Sequence, residues 1–111
     1  MSEIASTYPP VKGSDSPWGT VEDVYTVKEG ITQVSTLSHG GFHVTPERMS
    51  RMPEELKGKR SYATHFEEGG NGWFEEDCEV CLVVLAFPDE FTDWQVEESK
   101  REVRFIYHLA V

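Results

Sequence analysis

The stretch from Trp18 to Pro46 reads WGTVEDVYTVKEGITQVSTLSHGGFHVTP and decides the fold. It is dense in Val, Ile, Thr and Tyr, the residues that are enriched in β-strands. Residues 28–30 (KEG) and 39–41 (HGG) are typical of turns, and they divide the stretch into three strands. The glycines of HGG are expected to supply the positive φ of a tight turn. The stretch therefore predicts a three-stranded antiparallel meander over about residues 18–45.

Helical signals follow the meander. Thr45 is a favourable N-cap and Pro46 suits the first helical position, while Met49 and Met52 recur at helical spacing. Another short helical turn is expected after Pro53, then a loop over residues 60–72. Strands followed by helices predict an α+β domain, with the meander followed by and packed against two to four helices.

The apolar run at residues 80–87 is ambiguous, because periodicity does not separate a buried strand from a buried helix. We favour a helix from Trp73 to residue 87, with acidic first turns and Pro88 ending it. On that helix Trp73 and Asp77 share one face, and Glu75 and Glu79 share another. A last helix is expected over residues 95–108.

The composition indicates one globular domain. The chain has 111 residues, of which 38% are hydrophobic and 12% aromatic, which is too rich for global disorder. Residues 1–16 are rich in Ser and Pro and predict a flexible arm, so the domain is expected over residues 17–111. The sequence shows no membrane span and no secretory signal, which favours the cytoplasm.

Charge is distributed very unevenly. Residues 67–98 hold eleven Asp or Glu and no Lys or Arg, whereas the remainder holds nine acids and ten bases. A negative segment repels nucleic acid and attracts a basic protein surface. The alternative is an ordinary solvent-exposed helix face with no binding role, since acids in a first helical turn also complement the helix dipole.

If the two C-terminal helices pack side by side, their acids form one negative surface that binds a protein partner. The predicted contacts are Glu75, Glu76, Glu79, Asp89, Glu90, Asp93, Glu97 and Glu98.

A metal site is a weaker interpretation. Cys78 and Cys81 have the spacing of a zinc knuckle, and His39 and His43 could complete a tetrahedral set. Two small residues buried in an apolar helix explain the cysteines more simply. We therefore expect no metal and no cofactor.

Catalysis by a Cys–His pair is also considered and not favoured. His39, Asp77 and Cys78 are the required residue types, but adjacent helical residues point about 100° apart. A structural hydrogen bond between His39 and Asp77 is the expected arrangement. We expect a protein that is not an enzyme.

Four blocks of the sequence resemble an uncharacterised domain family encoded by phages and plasmids. They are SPWG (16–19), VSTLSHGG (34–41), TPER (45–48) and WFEEDCE (73–79). The resemblance covers about residues 16–88 and implies no catalytic residue. The family pattern places Trp-Ala after the EDC block, where this chain has Val80 and Cys81, which weakens the zinc interpretation.

The resemblance and the charge together lead to one functional hypothesis. Small acidic phage proteins often imitate DNA and block defence enzymes such as restriction or CRISPR effectors. We expect a domain that presents a negative surface to a basic host protein, modulating or inhibiting a nucleic-acid-handling enzyme. The alternatives are a small metal-binding or Cys/His catalytic protein and a structural or assembly protein of the virion.

Overall fold

The computed structural model describes residues 10–59 and 70–110 and shows an α+β fold. A four-stranded antiparallel sheet is accompanied by a two-stranded hairpin and by helices that follow the strands. The strands are β1 (Asp15–Ser16), β2 (Gly19–Thr20), β3 (Asp23–Lys28), β4 (Ile31–Ser35), β5 (Gly40–Val44) and β6 (Gly72–Glu75). The helices are α1 (Pro46–Arg51), α2 (Glu54–Lys57), α3 (Val80–Ala86) and α4 (Asp93–Tyr107), with a 3-10 turn at Pro88–Glu90.

The predicted meander is confirmed as β3, β4 and β5, which pair in that order. Glu29 and Gly30 form the turn between β3 and β4, and Gly30 has a φ of +90°. That conformation favours glycine, because a Cβ is strained there. The turn predicted at KEG is therefore confirmed, and its glycine has a conformation that other residues rarely adopt.

The prediction of a helix starting at Trp73 is wrong. Residues 72–75 form β6, which pairs with β5 through Phe42–Phe74 and His43–Trp73. Successive side chains of a strand point to opposite faces, so Trp73 and Phe74 each enter a separate buried cluster. The helical faces predicted for Trp73, Asp77, Glu75 and Glu79 do not exist. The apolar run at residues 80–86 is a helix, as favoured.

The sheet is covered on both faces. On one face Ile31, Val44 and Phe74 pack with helical residues that include Leu82 and Val103. On the other face Val21, Val34 and Trp73 are buried beneath Trp18. The Trp18 and Trp73 rings meet edge to face, with centroids 5.9 Å apart. The main core therefore lies between the sheet and the helices.

The HGG motif has a different role from the one predicted. Neither Gly40 nor Gly41 has a positive φ, and both lie in β5. A Cβ on Gly41 would lie 2.1 Å from the Trp18 ring. Gly41 is therefore required because an aromatic ring packs directly against the main chain.

The last helix is confirmed with shifted ends. Helix α4 runs from Asp93 to Tyr107, and Thr92 and Gln95 form a capping box at its start. A capping box satisfies main-chain N–H groups that have no partner within the helix. The Thr45 cap of α1 is also confirmed, since its side chain accepts from the N–H of Arg48.

The predicted arm and loop are only partly covered by the described residues. Residues 1–9 and 60–69 lie outside them. Pro10 is buried, and the N–H of Gly13 donates to the carbonyl of Val21 over 2.9 Å. The division into an arm at residues 1–16 and a domain at 17–111 stays a prediction.

Candidate functional site

The turn between β6 and α3 is built by two buried acids. The Glu75 carboxylate accepts from the N–H groups of Asp77 (3.0 Å) and Cys78 (2.8 Å). The Glu79 carboxylate accepts from the N–H of Glu75, and the N–H of Glu79 donates to the Glu75 carbonyl. These carboxylates provide acceptors for main-chain N–H groups of a short turn, where few main-chain carbonyls are in position to accept. Both acids are therefore structural.

The same turn presents Asp77 to a groove beside the C-terminal half of α4. The groove has a volume of about 590 Å³. Its lining residues are Asp77, Glu98, Arg101, Glu102, Arg104, Phe105 and Ile106. Three carboxylates from two different elements thus share one surface depression, which we call the acidic groove.

An exposed aromatic ring borders the acidic groove. Phe105 is 84% exposed and Ile106 36% exposed. Both residues lie away from Ser99 and Val103, the buried side of α4. Clustered exposed apolar side chains mark interaction surfaces more often than single ones do.

The lining of the acidic groove holds three carboxylates and the two guanidinium groups of Arg101 and Arg104, and the potential beside it, at Cys78 and Cys81, is negative. Burial raises the pKa of the Cys78 thiol, and the carboxylates of Glu75, Asp77, Glu79 and Glu102 raise it further. Burial and then Glu102 raise the pKa of Cys81 to about 12. Both thiols are protonated at neutral pH, and a thiolate is the form required for nucleophilic attack. Cys78 therefore lacks the environment of a catalytic cysteine.

Tyr107, at the end of α4, lies in the same negative potential as the two cysteines. The Tyr107 hydroxyl donates to the Cys78 carbonyl over 3.0 Å. Burial, followed by the charges of Glu79 and other acidic groups, raises its pKa. Helix α4 is thus tied to the turn that carries Asp77.

Several predicted contact residues have partners within the chain. Glu90 accepts two hydrogen bonds of 2.6 Å from the Arg48 guanidinium, whose side chain is only 7% exposed. Arg48 also donates to the Glu29 carbonyl and lies over the Phe87 ring. This interaction anchors the β3–β4 turn to the segment after α3.

The remaining predicted contact residues are divided between the acidic groove and other surfaces. Glu97 pairs with Lys100 at 3.3 Å, and Glu98, inside the acidic groove, pairs with Arg101. Glu76, Asp89 and Asp93 are exposed and have no ion pair with another described residue. The eight residues therefore do not act alike, and a contact role for any of them stays a prediction.

The two histidines have different environments. His43 is buried in β5, and its Nε2–H donates to Oδ1 of Asn71 over 2.6 Å. Burial lowers the His43 pKa, and the Asn71 bond partly offsets this. His39 and Asp77 are both exposed, and no hydrogen bond joins them. The predicted His39–Asp77 bond is wrong because the turn directs Asp77 towards α4.

The four metal candidates do not form a common site. His39 and Cys78 are exposed, whereas His43 and Cys81 are buried in β5 and in α3. Over residues 10–59 and 70–110, no group of three or more His, Cys, Asp or Glu could hold a metal ion.

Sequence reasoning missed Glu102, Phe105 and Arg48. The helical spacing of the buried Ser99 and Val103 was a usable signal for α4, since it leaves Phe105 on the solvent side. The Arg48–Glu90 pair has no such signal, because its members are 42 residues apart.

The fold defines an α+β domain in which a four-stranded antiparallel sheet carries helices on one face and a Trp18-bearing hairpin on the other. Residues 11–108 match the family described as a domain of unknown function, DUF7007, and the chain belongs to that family. No curated protein and no solved structure matches it. The expected membership of an uncharacterised family is confirmed, and the phage or plasmid origin stays a prediction. No helix in the described parts of the chain is long and apolar enough to cross a membrane.

Proposed function

We propose that this domain binds a protein partner, and that the acidic groove receives a basic, partly apolar segment of that partner. The convergence of Asp77, Glu98 and Glu102 beside the exposed Phe105 supports this function. An Arg or Lys side chain could pair with a carboxylate and also lie against the aromatic ring. Cation–π contacts of this kind contribute about 0.5–2 kcal/mol.

The aromatic ring contributes contact area, and the carboxylates contribute both orientation and an attraction that charge reversal turns into repulsion. Exposed ion pairs are worth about 0–1 kcal/mol each, whereas desolvated aromatic anchors often dominate an interface. The acids also steer a basic partner at low ionic strength. With a net charge of −10, the same field repels nucleic acid itself.

The partner we propose is a basic, nucleic-acid-binding surface of a host enzyme, in the setting of a phage or plasmid protein in the cytoplasm. The protein would modulate or inhibit that enzyme by occupying Lys and Arg that otherwise contact phosphate. The charge of the acidic groove and the resemblance of the four sequence blocks support this partner class.

A competition experiment tests the proposal. Duplex DNA on a resin is loaded with the DNA-binding proteins of a bacterial lysate, and the purified domain is added at low salt. Three proteins are compared: the wild type, Asp77→Lys/Glu102→Lys in the acidic groove, and Asp15→Lys/Glu55→Lys. Asp15 and Glu55 are exposed and lie outside the acidic groove, so the control has the same net charge as the groove variant.

The wild type and the control should release the same small set of proteins, identified by mass spectrometry, and the groove variant should release none of them. Release should disappear at high salt, because exposed charges are screened. The proposal fails if the groove variant releases the same proteins as the wild type. It also fails if none of the three proteins releases anything.

A further inference from the structure

Among the described residues, strand β3 is an edge strand of the main sheet, with β4 on one side and no strand on the other. Tyr25 is 67% exposed, and Val24 is 41% exposed. An unpaired edge presents main-chain donors and acceptors to which another strand can add.

The ladder between β4 and β5 shows which β3 groups point outward. The N–H of Thr45 donates to the Gly30 carbonyl across that ladder. Hydrogen-bonded pairs alternate with non-bonded pairs in an antiparallel ladder. Gly30–Thr45 is a bonded pair, so Thr32–His43 is bonded as well and Gln33–Phe42 is not. The main-chain groups of Gln33 therefore point away from β5 and towards β3. Tyr25 is opposite Gln33, and its main-chain groups therefore point into the sheet. Those of Val24 and Thr26 point outward.

The regular pattern of outward-pointing main-chain groups is interrupted at both ends of this edge. A register shift between Thr26 and Lys28 marks a β-bulge, where the regular outward pattern stops. At the other end the N–H of Glu22 donates to the Ser35 carbonyl over 2.8 Å. The open edge is therefore the short segment from Val24 to Thr26.

We propose that the occupant of this edge is β3 of a second copy of the chain, paired antiparallel about a twofold axis at Tyr25. In this register Val24 of each copy exchanges both main-chain bonds with Thr26 of the other. No other antiparallel self-pairing uses both outward-pointing residues and only those. The proposal involves a surface separate from the acidic groove and does not depend on the proposed function.

Charge complementarity favours this occupant and this direction. Glu22 and Asp23 stand at one end of β3, and Lys28 stands at the other. Antiparallel pairing brings Lys28 of each copy next to the acids of the other copy, whereas parallel pairing juxtaposes like charges. Asp23 already contacts Lys12 at 3.6 Å, but both side chains are at least 70% exposed. Such a pair exchanges partners at little cost.

The side chains across the pairing are also compatible. Tyr25 faces Tyr25 of the second copy at a non-hydrogen-bonded position, where opposed Cα atoms are about 4.5 Å apart. Aromatic cross-strand pairs stabilise a sheet, and the β-branched side chains of Val24 and Thr26 pack well against neighbours on a pleated surface.

Disulfide trapping tests the register directly. Cα atoms about 4.4–6.8 Å apart can be joined by a disulfide, so Tyr25→Cys in a Cys78→Ser background should crosslink into dimers under mild oxidation. The control is Leu37→Cys in the same background, because Leu37 is 92% exposed but outside β3. Tyr25→Cys should crosslink at least about tenfold faster than the control. Equal rates would overturn the proposal.

Sedimentation equilibrium of the full chain tests the hydrogen bonds. Thr26→Pro removes an outward N–H without removing a bond to β4, and proline is tolerated on edge strands. It should weaken dimerisation about tenfold or more relative to Thr26→Ala, because half of the main-chain bonds between copies are lost. A wild type that stays monomeric at every concentration would overturn the proposal, as would equal association of the two variants.

Exchanging the charges provides an independent check in the same instrument. Lys28→Glu should weaken dimerisation, and adding Glu22→Lys should restore it, because Glu22 is opposite Lys28 of the other copy in this register and the exchanged pair attracts again. Failure of the second substitution to restore association would exclude the antiparallel register.

Discussion

The described acids of residues 67–98 form two groups: some are buried within the fold and others face solvent. In the turn before α3, Glu75 and Glu79 are buried and accept main-chain hydrogen bonds. Along the acidic groove, Asp77 and Glu98 face solvent space instead. A run of like charges therefore does not amount to one surface, because the main chain uses some carboxylates as acceptors. Only those on the solvent side are available to a partner.

The largest effect is expected at the ion pair between Glu90 and Arg48. Glu90→Ala removes the carboxylate from an almost fully buried guanidinium, and such a charge is costly to leave unpaired. The free energy of unfolding should fall by about 3 kcal/mol, measured by urea denaturation followed through tryptophan fluorescence.

Asp89→Ala is the matched control, because Asp89 is the exposed neighbour in the same 3-10 turn. Its effect should stay within about 0.5 kcal/mol. Equal losses in the two variants would mean that the Arg48 pair contributes nothing specific.

A smaller effect is expected in the turn that precedes α3. Glu75→Ala leaves the N–H groups of Asp77 and Cys78 without their acceptor, which should cost about 1–3 kcal/mol. Glu76→Ala changes an exposed side chain one position later and should leave the urea midpoint almost unchanged. If Glu76→Ala were the more harmful change, the assignment of these two acids would be reversed.

The contrast between the buried His43 and the exposed His39 predicts that stability depends on pH through His43. Burial lowers the pKa of His43 in the folded state, so the unfolded chain binds a proton more readily. The free energy of unfolding is therefore highest above the unfolded pKa of about 6.5. The contribution of the neutral, buried His43 to it is lost as pH falls through the lower folded pKa. The resulting slope is at most about 1.4 kcal/mol per pH unit.

Urea denaturation at a series of pH values between neutral and mildly acidic measures this slope. His43→Gln should reduce it, and His39→Gln, at an exposed position, should not. Identical slopes for both variants and the wild type would contradict a role for His43.

The smallest effect on stability is expected in the acidic groove. Asp77→Lys/Glu102→Lys changes side chains that line an open groove, so the free energy of unfolding should change by less than about 1 kcal/mol. Thermal unfolding followed by circular dichroism measures this. A large loss would show that these carboxylates are structural, like those of Glu75 and Glu79.

The parts of the fold that depend on local chemistry could be predicted from the sequence. Val, Ile and Thr with a Glu-Gly turn are sufficient for the β3–β4 hairpin, and Thr45 and Pro46 are sufficient for the start of α1. Strand β6 was missed because its four residues carry no strand signal beyond two aromatic rings. Its pairing with β5 is a long-range contact that no local pattern specifies.

The candidate site could be predicted only in part, for the same reason. The acid-only segment draws attention to residues 67–98, and of the predicted contacts in it Glu98 lines the acidic groove. Whether a given acid faces the groove depends on how α4 packs against the turn. Glu102 and Phe105 follow the acid-only segment, so a reading based on charge runs omits them.

Titration of the 15N-labelled domain with a hexa-arginine peptide, followed by amide chemical shifts, tests whether the acidic groove is the binding site. The amides of Asp77, Glu102 and Phe105 should shift first and saturate. Asp77→Lys/Glu102→Lys should abolish this response, and Asp15→Lys/Glu55→Lys should preserve it. Shifts spread equally over Glu76, Asp89 and Asp93, or an unchanged response in the groove variant, would contradict the acidic groove as the binding site.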